Sequence, residues 1–273
     1  MDKMTDHEVG LVEFIVQAWN KFDHAYQPPK GEPEWKCTSL NNACKQYKWG
    51  KLTREENNKK LDDLSGRLQE CLVDASLNNH KLHHVCLEIL EWGGVEGVSS
   101  AWFRESCENG VLREKISKGV KLLKEGPSHD DWERFDNEDL VMNSALTKVY
   151  ALADPDNIPI YDGRVGAAMG LLVRRYLKQL APRPCEVPEE LAFRWGGGYT
   201  QRGSRARHPR NPSEPPYKFE CLRSSKNDHE EWCWRTGRIL RQVVDTINND
   251  PGRENISMRD LDDALFMVGR IVR

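Results

Sequence analysis

Apolar residues recur at three- and four-residue steps along nearly the whole chain, a period that confines it to helices. Leu11, Phe14, Ile15 and Trp19 mark one face of a first helix that breaks at the PPKGEPE segment, residues 28–34. A loop or short irregular stretch then carries Trp35, Cys37, Cys44, Tyr47 and Trp49. Thr53, with Glu56 three residues later, forms a capping box, and Leu61, Leu64, Leu68, Cys71 and Leu72 line the helix it opens. Leu82, Val85, Cys86, Ile89 and Leu90 mark the next helix, which runs to the glycines of WGGVEG. Further helices are expected over 99–108, 112–124, 140–153, 163–180 and 228–247, with an interruption at Asn143 and Ser144. A last one starts at Ser257, with Asp260 as its box partner. Strand signals are nearly absent, so the expected class is all-α, with no internal repeat.

A chain of 273 residues suffices for one domain with a sizeable core, here expected as two packed helical lobes. Its apolar runs fall far short of the roughly 20 residues a bilayer demands, and the opening MDKMTDHE has neither region of a secretory leader. A cytoplasmic protein without a membrane partner is therefore expected. The 8 cysteines show no CxxC and no metal-site spacing, which predicts reduced, mostly core thiols. His80 and His84 are four apart, beside His83, Cys86 and Glu88, and could share a ligand on one helical face. Without an HExxH pattern they read instead as ordinary helix residues, so neither a metal nor a cofactor is expected.

The formal net charge of -3 hides an asymmetry. Arg164, Arg174, Arg175, Lys178 and Arg183 follow one another with no intervening acid, as do Arg194, Arg202, Arg205, Arg207 and Arg210. Such focusing favours a polyanion. The second run lies in a glycine-, proline- and arginine-rich stretch, residues 193–216, and interleaves Trp195 and Tyr199 with three glycines. Backbone N–H groups there could approach phosphate while a ring stacks on a base. A flexible solvated insertion explains the same composition.

The stretch TKVYALADPDNIPIYDGRVGAAMGLLVRRYL, from Thr147 to Leu177, resembles the catalytic core of the helix-hairpin-helix superfamily of DNA glycosylases, most closely its 8-oxoguanine glycosylase branch. In that family a lysine opens the helix after the hairpin, and an apolar-Pro-apolar loop leads to an aspartate that begins the next helix. Lys148 matches the lysine, and NIPIYD, residues 157–162, matches the loop with Asp162 as the aspartate. The glycine-containing hairpin of the family is replaced here by LVMNSALTK. The resemblance implies a two-lobed helical fold with catalytic core helices over 139–180 and a basic insertion over 193–216. It also implies excision of a damaged or modified base, in repair or in defence against phage DNA.

Residue chemistry is compatible with those roles. Asp162 directly precedes a helix whose first-turn N–H groups hold a carboxylate ionised, and a fixed anion stabilises the positive charge that develops on a sugar as its glycosidic bond breaks. A plain N-cap explains the same residue. Lys148 is either a surface lysine at a helix start or, in the pocket of Asp162, the amine that attacks C1′ and allows strand cleavage. The base must leave the stack to be reached, which calls for an aromatic wall, and Tyr161 and Trp195 are the candidates. Arg164, Arg174, Arg175, Arg194, Arg202, Arg205, Arg207 and Arg210 are the candidates for DNA contact. The expected partner is double-stranded DNA bound by a monomer. The alternative is a non-enzymatic helical protein that binds nucleic acid or regulates, keeping the same core as scaffold.

Overall fold

The computed structural model describes residues 3–28, 31–74, 76, 78–97, 99–126, 135, 139–197, 208–222 and 229–273. Among these the chain is mostly helical, with ten α-helices, one 3-10 turn and one two-stranded hairpin. None of the described helices is long and apolar enough to cross a membrane. The chain divides into two compact units. One joins residues 49–160 to 225–237; the other joins 2–48, 161–224 and 238–273.

The second unit brings the two ends of the chain together. Helix α1 (Asp6–Asn20) starts at a capping box in which Thr5 Oγ1 accepts from the Glu8 N–H at 3.2 Å. Strands β1 (His24–Tyr26) and β2 (Trp35–Cys37) pair antiparallel, with Tyr26 opposite Trp35 and their rings stacked at 4.8 Å. This hairpin corrects the expectation of a helix break followed by irregular chain. Three residues per strand are too few for an alternating pattern to register, and a cross-strand aromatic pair helps to hold them. Helix α2 (Leu40–Lys45) follows, with Ser39 Oγ accepting from the Asn42 N–H at 2.9 Å.

The first unit holds α3 (Arg54–Val73), α4 (Asn79–Trp92), α5 (Ser100–Glu108), α6 (Leu112–Glu125) and α7 (Leu146–Ala153). The expected Thr53–Glu56 box is present, the Glu56 carboxylate accepting from the Thr53 N–H at 2.8 Å. Leu61, Leu64, Leu68, Ile89, Phe103 and Ile116, on four of these helices, are buried in its core.

The remaining helices are α8 (Gly163–Leu177), α9 (His229–Asn248) and α10 (Met258–Val268). α9 runs through both units, which divide at Gly237, while α8 and α10 belong to the second unit. There α10 packs on α2 and α8, and α1 packs on α8. The expected box at Ser257 and Asp260 opens α10. The helix expected over 140–153 begins only at Leu146, after the interruption expected at Asn143 and Ser144, and the one expected over 163–180 ends at Leu177. Asn143 sets the first limit, its Oδ1 accepting from the N–H groups of Ala145 and Leu146 at 2.9 and 3.1 Å.

Candidate functional site

In the first unit, the α7 face that carries Lys148 is almost wholly buried. Lys148 is 7% exposed, and its Nζ donates to the Ser144 carbonyl at 2.5 Å. The surface-lysine reading is thereby corrected: the stem is enclosed and the ammonium turns back on the preceding turn. Its neighbour Thr147 is fully buried and donates from Oγ1 to the Pro159 carbonyl at 3.4 Å, and Cys233 Sγ reaches the same carbonyl at 3.6 Å. These bonds tie the apolar-Pro-apolar loop to the lysine helix. The loop starts in a turn in which the N–H groups of Asn157 and Ile158 donate to the Asp154 carbonyl at 3.1 and 3.0 Å. Asn157 Nδ2 also donates to Asp154 Oδ1 at 2.7 Å.

In the second unit, Asp162 is the N-cap of α8. Its Oδ1 accepts from the N–H groups of Arg164 and Val165 at 2.7 and 3.0 Å, so the carboxylate sits on the positive end of the helix. The chain around it is packed backbone against backbone. Gly196 N–H donates to the Gly163 carbonyl at 3.1 Å, and a Cβ on Gly163 would fall 2.7 Å from Gly196 Cα. Arg210 donates to the Gly196 carbonyl at 3.3 Å, and Arg164 lies with Cζ 4.1 Å over the Phe266 ring. Burial lowers the pKa of both guanidinium groups. Mutual repulsion adds to this for Arg164 and repulsion from Arg270 for Arg210, while Asp162 opposes the shift in each. The aspartate is thus the counter-charge of a desolvated arginine cluster as well as a cap.

Other candidates go elsewhere. Tyr161 is 0% exposed and donates from its hydroxyl to the Arg194 carbonyl at 2.7 Å. Trp195 is 2% exposed, with Nε1 donating to the Phe219 carbonyl at 3.2 Å. Both rings proposed for the pocket wall are thus buried within the second unit. Arg174 donates to the carbonyls of Pro212 and Val272 at 2.7 and 3.3 Å and faces Glu214. Arg175 donates to the Asp23 carbonyl at 2.7 Å and covers Phe22, while Arg194 pairs with Glu220 at 3.2 Å. In this structure the charge of these three is directed at the fold's own carbonyls, rings and acids. Arg202, Arg205, Arg207 and Tyr199 lie outside the described residues.

The histidine-rich segment of α4 has other partners. His80 contacts Cys107 Sγ at 3.5 Å, while Glu88 pairs with Arg67 and lies 3.5 Å from His84 Nε2. Among the described residues no three His, Cys, Asp or Glu side chains gather to hold a metal ion.

Sequence reading missed the glycine contacts at 163 and 196, the Arg164–Phe266 stack and the part of Arg270. The signal was present in the glycines of DGRVG, WGGG and VGR, which mark close backbone approach as readily as anion binding. No family model, no curated protein and no solved structure matches the chain.

Proposed function

We propose that this protein is a DNA glycosylase that takes a damaged or modified base out of the duplex and cleaves its N-glycosidic bond, with a fold of the helix-hairpin-helix glycosylase kind. The observation that carries the reading is the state of Asp162, a carboxylate held on the first turn of α8 beside Arg164 and Arg210, at the end of the loop that resembles the family's. Such an anion is already oriented when positive charge develops on the sugar, so little reorganisation opposes its action. Lys148 is the proposed nucleophile. Its neutral amine would form a bond to C1′ as the glycosidic electrons leave with the base, which takes up a proton. The Schiff base that follows permits strand cleavage. Cytoplasmic repair or defence against foreign DNA is the proposed setting, with a monomer acting on double-stranded DNA.

Screening base release from cellular, viral and synthetic DNAs that carry modified bases tests the activity. Borohydride trapping tests the nucleophile: wild type should give a covalent adduct and Lys148→Ala should not. A second reading, a binding protein that keeps this core as scaffold, draws on the burial of Tyr161 and Trp195 and the internal pairing of Arg174, Arg175 and Arg194. DNA binding without release of any base would favour it.

A further inference from the structure

Lys148 lies across the end of α4, where the backbone has no side chain. A Cβ on Gly93 would fall 2.5 Å from Lys148 Cδ and 2.7 Å from Cε, closer than real Cβ atoms come to anything, with Val95 Cγ2 the next nearest at 3.3 Å. Gly93 itself has φ -75° and ψ -8°, which any residue adopts, so its conformation does not call for glycine. The next residue, Gly94, is the opposite case. Its φ of +64° favours glycine, yet a Cβ there would meet only Trp49 Cζ2, at 3.9 Å. One glycine of the pair is used for the turn and the other for the lysine.

The surroundings fix that turn. Trp92, the last residue of α4, donates from Nε1 to Asn57 Oδ1 at 2.8 Å, and its carbonyl accepts from Trp49 Nε1 at 2.7 Å. Asn143, whose Oδ1 accepts from the N–H groups of Ala145 and Leu146 at the start of α7, donates from Nδ2 to Ser99 Oγ at 2.8 Å. The lysine stem passes over Gly93, and its amine ends on the Ser144 carbonyl.

We propose that Gly93 is a positioning residue for Lys148: its bare α-carbon lets the stem cross the end of α4 and so sets the place of the amine. This deepens the glycosylase reading and rests on it for its functional meaning. Its geometry stands on the contacts alone. A methyl at residue 93 leaves the backbone content and drives the stem to another rotamer, moving Nζ off Ser144.

The test is competitive acetylation with trace acetic anhydride, which acylates only neutral amines, followed by mass spectrometry of the Lys148 peptide across pH 6–11. Lys51 and Lys121 in the same chain serve as internal references. In Gly93→Ala the rate of Lys148 relative to the references should rise about tenfold at neutral pH, because Nζ leaves its enclosed bond to Ser144. Gly94→Ala should lower thermal stability and leave the Lys148 profile as in wild type. An unchanged profile in Gly93→Ala, or an equal shift in Gly94→Ala, would overturn the proposal. If Gly93→Ala does not fold, Gly93→Ala/Lys148→Ala should, because the stem that meets the methyl is gone; failure of the double variant to regain the fold would overturn it equally. Trapping on abasic DNA separates this from the activity. An acetylation shift in a protein whose wild type gives no adduct would retain the positioning role and remove Lys148 as nucleophile.

Discussion

The hydroxyl of Tyr161 donates to the carbonyl of Arg194 at 2.7 Å, and the same carbonyl oxygen would lie 2.0 Å from a Cβ on Gly166. The residue before the capping aspartate and the first full turn of α8 thus grip one peptide group of the segment that bears Trp195. Tyr161→Phe removes a buried donor and leaves that carbonyl without it, at a cost of about 1–2 kcal/mol. Gly166→Ala forces the two backbones apart and should cost about 1–3 kcal/mol more than an ordinary helical Gly→Ala change gains. Urea unfolding measures both. A neutral Tyr161→Phe would mean that the hydroxyl does not hold this segment in solution.

The arginines divide into two sets with different expected behaviour. Arg174→Gln and Arg175→Gln remove donors to the carbonyls of Pro212, Val272 and Asp23, so their main effect should be lost stability, with DNA affinity at a given salt little changed. Changing Arg202, Arg205 and Arg207 together to Ser should do the reverse, weakening binding to modified and plain DNA alike. It should flatten the slope of log K against log salt by up to about 3, one phosphate contact per arginine. Fluorescence anisotropy across a salt series checks this, and an unchanged slope would put the DNA elsewhere.

Acid should destabilise the fold through His24. Burial lowers its pKa below the usual 6.5; the carbonyl of Ile271, on which Nε2 bonds at 2.8 Å, opposes the shift, and Arg175 adds to it. The unfolded chain therefore takes up this proton at a higher pH than the folded one. Stability from this group is present above about pH 6.5 and is lost as pH falls from there toward the folded pKa. His83 and His208 are shifted in the same direction, also chiefly by burial. Thermal unfolding from pH 8 to pH 5 should show a falling Tm, and His24→Gln should make the fall shallower. An equally steep fall in the variant would exclude His24 as a contributor.

Helices were readable because each rests on a local, repeated signal. The boxes at Thr53 and Ser257, the stripe of α3 and the stop at Asp154 involve residues within one turn of each other. The hairpin was not readable, since its pairing of Tyr26 with Trp35 is a contact between residues that no periodicity links. At the candidate site the capping geometry of Asp162 follows from its place before Gly163, whereas the destination of each arginine does not. Arg174 and Arg164 stand in the same helix with the same chemistry, and only the tertiary packing sends one to Pro212 and the other onto Phe266. The placing of Trp195 was unreadable for a similar reason: neighbouring glycines and arginines suggest an open loop, but Glu220 and Leu222 bracket it as a bridged strand-like pair, and its ring is buried.

Asp162 has two structural duties that substitution can separate from chemistry. Asn keeps an Oδ1 able to accept from the N–H groups of Arg164 and Val165, so the cap survives in Asp162→Asn. The negative charge does not, and the buried guanidinium groups of Arg164 and Arg210 lose the anion that offsets them. Some loss of stability, at most the roughly 3–5 kcal/mol of a broken buried pair, is therefore expected from charge alone. Asp162→Ala should add about 1 kcal/mol for the lost cap. If the carboxylate acts on the sugar cation, both variants should release base about 100-fold more slowly or worse in single turnover, a loss of about 2.7 kcal/mol of transition-state stabilisation, in spite of their different stabilities. DNA affinity should hold or rise, because removing an anion beside arginines lessens repulsion of phosphate. Excision by Asp162→Asn at nearly the wild-type rate, with the fold intact, would reduce the residue to a cap and counter-charge and move the active site elsewhere.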